Sequence, residues 1–305
     1  MSGCTLCPRR CGADRAGTAG VCRVKAAVKV ARAAPHYGEE PCLSGERGSG
    51  AVFFAGCPLG CAYCQNYELS RGRAGEELTV EDLAETLRAL ERQGVHNLDM
   101  ITGTQYAPAI VQALELARPR VPVVWNSSGY ETEETVELLK PYVNVWLPDY
   151  KYRRPAPAQR YSRAPDYPAA AEKAILAMFR AAGPYELDDN GLLRSGVMIR
   201  HLVLPGQVEN TLAVIDWVSR TFHEGDVLFS LMAQFTPCGE TERFPELARP
   251  LTQEEWDTCL NALEDSDITE GYVQELGSDG TEQIPAFDGA GVVRAGTEEE
   301  TTENG

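Results

Sequence analysis

Three cysteines share one glycine-containing stretch, Gly56-Cys57-Pro58-Leu59-Gly60-Cys61-Ala62-Tyr63-Cys64-Gln65-Asn66. Thiolates separated by three and then two residues can converge on three corners of one 4Fe–4S cube. Three ligands leave one iron free of protein, open to a chelating substrate or cofactor. The alternative for Cys57, Cys61 and Cys64 is a zinc knuckle that borrows a fourth ligand. The spacing favours the cluster, because zinc pairs usually come as two C-x-x-C halves. A second set comprises Cys4, Cys7, Cys11 and Cys22. Its gaps of two, three and ten residues match neither standard zinc pattern closely. Zinc, an auxiliary Fe–S cluster and four reduced thiols are all open to it. A metal is preferred, since a segment so poor in apolar residues is hard to fold unaided. Arg9, Arg10 and Arg15 nearby would lower thiol pKa values and offset thiolate charge. Cys42 is a candidate fifth participant, while Cys238 and Cys259 read as ordinary thiols.

The composition narrows the setting for this chemistry. The 305 residues suffice for one large domain or two small ones, and 43% apolar with 24% charged is ordinary for a folded soluble chain. A formal charge of -17 repels phosphate backbones and anionic lipid, so neither nucleic acid nor a membrane surface is expected as a partner. No apolar run reaches the roughly 18 to 20 residues of a membrane helix. The opening Met1-Ser2-Gly3-Cys4 has no apolar segment of the secretory kind. The cytoplasm is therefore the expected compartment, and clustered thiols there point to ligation rather than to disulfides.

Four regions follow from the pattern. Residues 1–47 read as a Cys-rich, metal-binding N-terminal module, and 48–250 as an alternating β/α core. Residues 251–288 hold one helix and a short closing strand, and 289–305 read as a disordered acidic tail. Within the core, strands are expected at Ala51–Ala55, Leu98–Thr102, Val121–Trp125, Val143–Leu147, Val197–Leu204 and Val227–Met232. Helices are expected between them. The first is capped by Thr79 with Asp82, carries Val80, Leu83, Leu87 and Leu90 on one face, and closes at Gly94. The next are centred on Ile110, Val111, Leu114 and Leu116, then on Val136, Leu138 and Leu139. Two more run from Pro168 to Ala182, after a Pro-rich loop, and from Leu212 to Phe222. Six β-then-α units in strict alternation predict a parallel α/β sheet with right-handed crossovers. Periodicity alone leaves an open sheet and a partial barrel equally available. In either, a site lies just past the strand ends.

Polar residues at those ends are candidates. Asp149 and Lys151, two apart after the fourth strand, would elsewhere be solvated charges or a weak surface pair. Arg200-His201 lies inside an apolar run, which is costly unless the pair faces a polar cavity or a partner. Gln234 follows the sixth strand. Asn126-Ser127-Ser128-Gly129 has the composition of an ordinary βα turn.

A C-x-x-x-C-x-aromatic-C motif after the first strand of a six-fold β/α repeat resembles the radical S-adenosylmethionine (radical SAM) superfamily. The resemblance covers roughly residues 1–288. Cys4-Thr-Leu-Cys7-Pro-Arg-Arg-Cys11-Gly, Glu39-Glu-Pro-Cys42-Leu-Ser-Gly, Cys64-Gln-Asn and Gly271-Tyr-Val-Gln-Glu-Leu-Gly277 resemble a subgroup described as putative pyruvate formate-lyase-activating enzymes. The resemblance implies a parallel partial (β/α)6 barrel with a small Cys-rich N-terminal module. It implies that the open iron binds the amino and carboxylate groups of S-adenosylmethionine. Reductive cleavage then gives methionine and a 5′-deoxyadenosyl radical, which takes hydrogen from a substrate.

Site roles follow from the same resemblance. Tyr63 would pack on the adenine. Gly103 and Thr104, in Thr102-Gly-Thr-Gln105, occupy the place of a Gly-Gly-Glu-Pro segment whose carbonyls and Glu hold the cofactor amine; the Glu is absent here. Asn126 and Ser127 match an Asp-Thr-Asn-Gly that lines the cofactor and a cation, with Asn in place of Asp. Asp149 and Lys151 match an Asp-x-Lys in which the Lys reaches the cofactor carboxylate, and Arg200 would join the pocket from the fifth strand. The implied partners are an electron donor such as flavodoxin or ferredoxin and a separate glycyl-radical protein as hydrogen donor. A different peptide or small molecule is the alternative substrate. A non-catalytic Fe–S or zinc protein is the alternative class, disfavoured because it needs no polar residues at several strand ends. The N-terminal cysteines are expected to form a structural site independent of the cluster.

Overall fold

The apolar runs become neighbouring strands, and the amphipathic segments between them become covering helices. The computed structural model of the chain describes residues 3–277 and 285–296. The first half holds β1 (Val28–His36), α1 (Pro41–Ser44), β2 (Ser49–Phe54), α2 (Tyr67–Ser70), β3 (Glu76–Leu78), α3 (Val80–Arg92), β4 (Leu98–Ile101), α4 (Ala107–Ala117), β5 (Val123–Ser127) and α5 (Glu133–Leu139). The second half holds β6 (Val145–Pro148), α6 (Pro155–Ser162), α7 (Tyr167–Ala182), β7 (Glu186–Leu187), β8 (Leu193–Leu202), α8 (Val208–Thr221), β9 (Leu228–Met232), α9 (Gln253–Glu264) and β10 (Gly271–Val273).

Strands β2, β4, β5, β6, β8, β9 and β10 lie side by side in that order, each parallel to the next. The order never reverses, so each crossover advances in one direction. That is the winding of a barrel, whereas a doubly wound sheet reverses at a switch point. Among the described residues the outer strands β3 and β10 do not pair, so the barrel is partial. Strand β10 adds parallel to β9. Helix α3 is capped reciprocally: Asp82 N donates to Thr79 Oγ1 at 3.0 Å and Thr79 N to Asp82 Oδ2 at 3.1 Å. Leu83, Leu87 and Leu90 are fully buried beneath it.

Several expectations need correction. The Pro-rich loop after β6 contains helix α6, because Pro155 and Pro157 sit in its first turn, where no intrahelical N–H is lost. Leu116 and Leu138 are exposed rather than on the core faces of α4 and α5. Residues 28–36, assigned to the Cys-rich module, form β1 and pair antiparallel with β2. A bulge between Val30 and Arg32 breaks the alternation that would have revealed this strand. Residues 289–296, expected in the tail, dock on the sheet. Gly289 N donates to Ala31 O and Ala33 N to Ala290 O, both at 2.9 Å, and Ala295 N reaches Asp82 Oδ1 at 2.8 Å. The last nine residues of the expected tail lie outside the described residues.

Alternate strand residues face opposite sides. Trp125, Trp146, Ile199 and Phe229 join the core shared with the helices. Val124, Leu147, Met198 and Leu228 point to the inner face, where Cys42 and Leu43 of α1 pack on them. Residues 38–44 therefore plug the inner face of the barrel. Cys42 belongs to this floor rather than to the N-terminal cysteine set.

Candidate active site at the strand ends

The period of two that places apolar residues on the floor places polar ones one layer higher. Asn126 stands two residues beyond Val124, Asp149 beyond Leu147, Arg200 beyond Met198 and Ser230 beyond Leu228. Arg200 is the hub. Its Nε donates to Asp149 Oδ1 at 2.9 Å, Nη1 to Glu39 Oε2 at 2.7 Å and Nη2 to Asn126 Oδ1 at 2.6 Å. Lys151 Nζ holds the other Asp149 oxygen at 2.7 Å. Asn126 Nδ2 donates to Glu39 Oε1 at 3.1 Å and Asp99 Oδ2 at 3.2 Å. An amide suits this position because it both donates to carboxylates and accepts from a guanidinium, which an Asp could not.

With Glu40, whose Oε2 lies 3.6 Å from Arg200 Nη1, four carboxyl groups face two cations, and they divide accordingly. Burial would raise the Asp149 carboxyl, but Arg200 and Lys151 outweigh it and hold it below the usual range. Burial and the charge of Glu39 push Asp99 well up. Burial also raises Glu40, against the pull of Arg200. Asp149 therefore carries charge at neutral pH, while Asp99 and Glu40 resist ionisation.

The cysteine loop leaves β2 directly above this layer. Gly56 has φ +81°, and a Cβ there would meet Cys22 O at 2.6 Å; Gly60 has φ +61°, with the Arg23 and Arg71 guanidinium groups packed where a Cβ would go. The backbone contact makes glycine obligatory at 56, and the left-handed φ favours it at 60. Cys57, Cys61 and Cys64 line one cavity of about 210 Å³ together with Glu39, Asn126, Asp149, Lys151 and Arg200. Burial and the neighbouring Cys61 push Cys57 up to about 12, and the same causes push Cys64 up to about 11. Gly60 N donates to Cys57 Sγ at 3.4 Å and Ser162 Oγ to Cys61 Sγ at 3.1 Å. Three thiols within Coulombic reach, Cys61 buried and Cys57 and Cys64 half-buried, with hydrogen-bond donors on two sulfurs and Lys151 beside them, fit an Fe–S cluster whose binding displaces thiol protons. Among the described residues no three His, Cys, Asp or Glu side chains converge on a single-ion position.

The other candidates fall on both sides of the cavity wall. Tyr63 lines it and packs edge-on against Tyr152, Tyr161 and Phe235. Ser127, Ser128 and Gln234 line it as well. Gly103 and Thr104 do not line it: Gly103 faces Ile110 and the Trp125 ring, and Thr104 Oγ1 donates to Glu131 Oε1 at 2.7 Å. Thr102, one residue earlier, lines it with φ +59°, a strained conformation for a β-branched residue. His201 is buried away from it. Its Nδ1 lies 2.6 Å from Tyr150 O, an acceptor only, so that nitrogen carries the proton, and burial lowers the ring to about 4.

The family model of the radical SAM superfamily matches residues 51–218, a span from β2 through the cysteine loop and Arg200 into α8. The chain belongs to the radical SAM superfamily. Membership implies a 4Fe–4S cluster, S-adenosylmethionine and an enzyme, and so decides against a non-catalytic binding protein. An uncharacterized protein of Methanocaldococcus jannaschii, MJ0674, is 28% identical over 271 residues, covering 86% of this chain and 74% of the relative. Among solved structures, Streptococcus suis SuiB bound to S-adenosylmethionine matches with 12% identity and a TM-score of 0.42, over 74% of this chain and 46% of that one. HydG, a maturase of the FeFe-hydrogenase, matches with 16% identity and a TM-score of 0.48, over 72% and 49%. The chain spans about half the length of these two structures.

Two residues that line the cavity, Glu39 and Thr102, and one beneath it, Asp99, escaped the sequence reading as site residues. Glu39 arrives from the plug, outside any strand end, yet it bridges Arg200 and Asn126. Its signal was present: Glu39 and Glu40 are the only acids between Asp14 and Glu46. Asp99 is a charge inside an apolar strand, the same cue that marked Arg200. Thr102 carries no sequence cue, because its strain is visible only in the backbone. Gln105 supports the loop from behind, with Nε2 reaching the carbonyls of Ala55, Gly56 and Thr102 at 3.0, 3.1 and 2.7 Å.

Proposed function

We propose that Cys57, Cys61 and Cys64 hold the 4Fe–4S cluster and that the adjoining cavity receives S-adenosylmethionine. One observation carries the assignment: three thiols and the Asp149–Lys151–Arg200 group form the walls of a single cavity. When bound, the cluster supplies the electron that cleaves the sulfonium to methionine and a 5′-deoxyadenosyl radical.

The chain's own residues bind and orient. Lys151 supplies a cation for the cofactor carboxylate. When it turns from Asp149 toward the cofactor, Arg200 remains on that carboxylate. Asp149 and Glu39 are acceptors for the cofactor's amine and hydroxyl groups. Tyr63, backed by three other aromatic rings, offers an apolar face to the adenine. Thr102, not Gly103 or Thr104, presents the backbone of the β4 loop to the cavity.

The substrate reading is the glycine of a separate glycyl-radical protein, with electrons from a flavodoxin or ferredoxin; both rest on the resemblance of Cys4–Cys11, Cys64-Gln-Asn and Gly271–Gly277 to the activating-enzyme subgroup. Anaerobic reconstitution followed by S-adenosylmethionine and a reductant should yield 5′-deoxyadenosine and methionine. A glycyl-radical protein deuterated at glycine should pass the label into 5′-deoxyadenosine. Product without label would redirect the search to another peptide or small molecule; no product at all would overturn the proposed activity.

A further inference from the structure

The segment before β1 holds together with very little apolar surface. Within residues 3–27, Cys22 and Val24 are the only buried apolar side chains. What gathers there is sulfur. A Cβ on Gly20 would lie 3.3 Å from both Cys11 Sγ and Cys22 Sγ. The loops between them are pinned, with Cys4 N on Ala13 O and Gly12 N on Cys4 O at 3.1 Å, and Arg10 N on Cys7 O at 2.9 Å. The four sulfurs do not close on one point in this structure.

The same segment grips the loop that carries the cavity cysteines. Arg9, between Cys7 and Cys11, donates Nε to Pro58 O at 3.1 Å, Nη2 to Ser162 O at 2.8 Å and Nη1 to Arg163 O at 2.6 Å. Cys57 N donates to Cys22 O at 3.3 Å. Ser162, whose carbonyl Arg9 holds, is the residue whose hydroxyl bonds Cys61 Sγ. The sequence suggested two independent cysteine sets, yet the structure joins them by backbone and by one guanidinium.

We propose that Cys4, Cys7, Cys11 and Cys22 form a second, thiophilic metal centre, for zinc or an Fe–S cluster, whose loading fixes Arg9 on the Cys57–Cys61 loop. As the metal binds, the thiols release their protons to solvent, and the ordering of the segment is driven by the metal–sulfur bonds in place of a core. Only the second half of this inference rests on the reading of Cys57, Cys61 and Cys64 as cluster ligands.

The test begins with full-length protein in which Cys57, Cys61 and Cys64 are alanine, so that metal counted in it belongs to the N-terminal set. After anaerobic incubation with zinc, or with iron and sulfide, it should bind one centre per chain. Adding Cys7→Ser and Cys11→Ser should lower that content roughly tenfold or more. Because these variants can misfold, wild-type protein gives a second readout. Cys4, Cys7, Cys11 and Cys22 should resist alkylation until a strong chelator is added, then react roughly tenfold faster or more. No bound metal, or alkylation indifferent to the chelator, overturns the site. Arg9→Gln should keep the N-terminal metal but shift the paramagnetic resonance spectrum of the reduced Cys57–Cys61–Cys64 cluster, with Arg9→Lys partly restoring it. An unchanged spectrum in Arg9→Gln overturns the coupling. Failure of the cluster reading would show in the wild type alone and leave the metal count of the alanine variant untouched.

Discussion

Glu39 and Arg200, 161 residues apart, meet at 2.7 Å inside the barrel and join the N-terminal plug to β8. The contact lies at the boundary between an apolar floor and a polar cavity, so its two halves are not equivalent. Arg200→Met leaves Glu39, Glu40, Asp99 and Asp149 with Lys151 as their one remaining cation in this group. That should cost about 3–5 kcal/mol in denaturant unfolding, the usual range for breaking a buried pair. Glu39→Gln keeps Arg200 paired with Asp149 and should cost about 1–3 kcal/mol. Equal losses would mean that the group is not organised around Arg200.

Lys151→Ala should weaken S-adenosylmethionine binding in titrations while leaving iron content near the wild-type level, since Lys151 contacts the sulfurs only through its charge. A direction can be set for its neighbour too. Asp149→Asn should weaken binding and also destabilise the protein, because two cations lose their shared carboxylate. Unchanged binding in Lys151→Ala would return that residue to a structural ion pair.

Glu131 makes stability depend on pH. It is buried, and burial raises its carboxyl from 4.5 to about 7 against the hydrogen bond from Thr104. The folded value exceeds the unfolded one, so the group favours the fold below about pH 4.5, and that contribution fades as pH rises through about 7. At about 1.4 kcal/mol per pKa unit the loss is about 3 kcal/mol. Asp99 and Glu40 act in the same direction. Denaturant midpoints of protein without cluster should therefore fall between pH 5 and 8, and Glu131→Gln should flatten the slope. A slope unchanged by that variant would show that Glu131 titrates normally.

Gln105→Ala removes the amide that reaches the carbonyls of Ala55, Gly56 and Thr102. A loss of about 1–3 kcal/mol is expected for buried polar groups left unpaired. Iron in reconstituted protein should also escape faster to a chelator, because these carbonyls belong to the loop ends beside Cys57. Loss of stability with unchanged iron release would confine Gln105 to a packing role.

Much of this architecture was legible in the sequence because its periodicities are simple. The capping box of Thr79 and Asp82 and the six parallel strands follow from local patterns. The cysteine loop and Arg200 were legible for a different reason: both are costly where they stand unless a ligand or partner justifies them. The misses share a cause as well. β1 is hidden by a bulge at Val30 and Arg32, α6 by prolines that its first turn tolerates, and Glu39 by a route through the plug that no strand-end rule anticipates. Thr102, whose φ is +59°, lines the cavity in place of Gly103 and Thr104.

The central claim is that Cys57, Cys61 and Cys64 hold a cluster with one iron open to S-adenosylmethionine. It is tested most directly by electron paramagnetic resonance of the anaerobically reconstituted, reduced protein with and without S-adenosylmethionine, beside Cys61→Ala. The account predicts a 4Fe–4S signal that changes when S-adenosylmethionine is added and is lost in Cys61→Ala. A wild-type signal indifferent to S-adenosylmethionine, or a Cys61→Ala protein with the same signal and the same response, would contradict it.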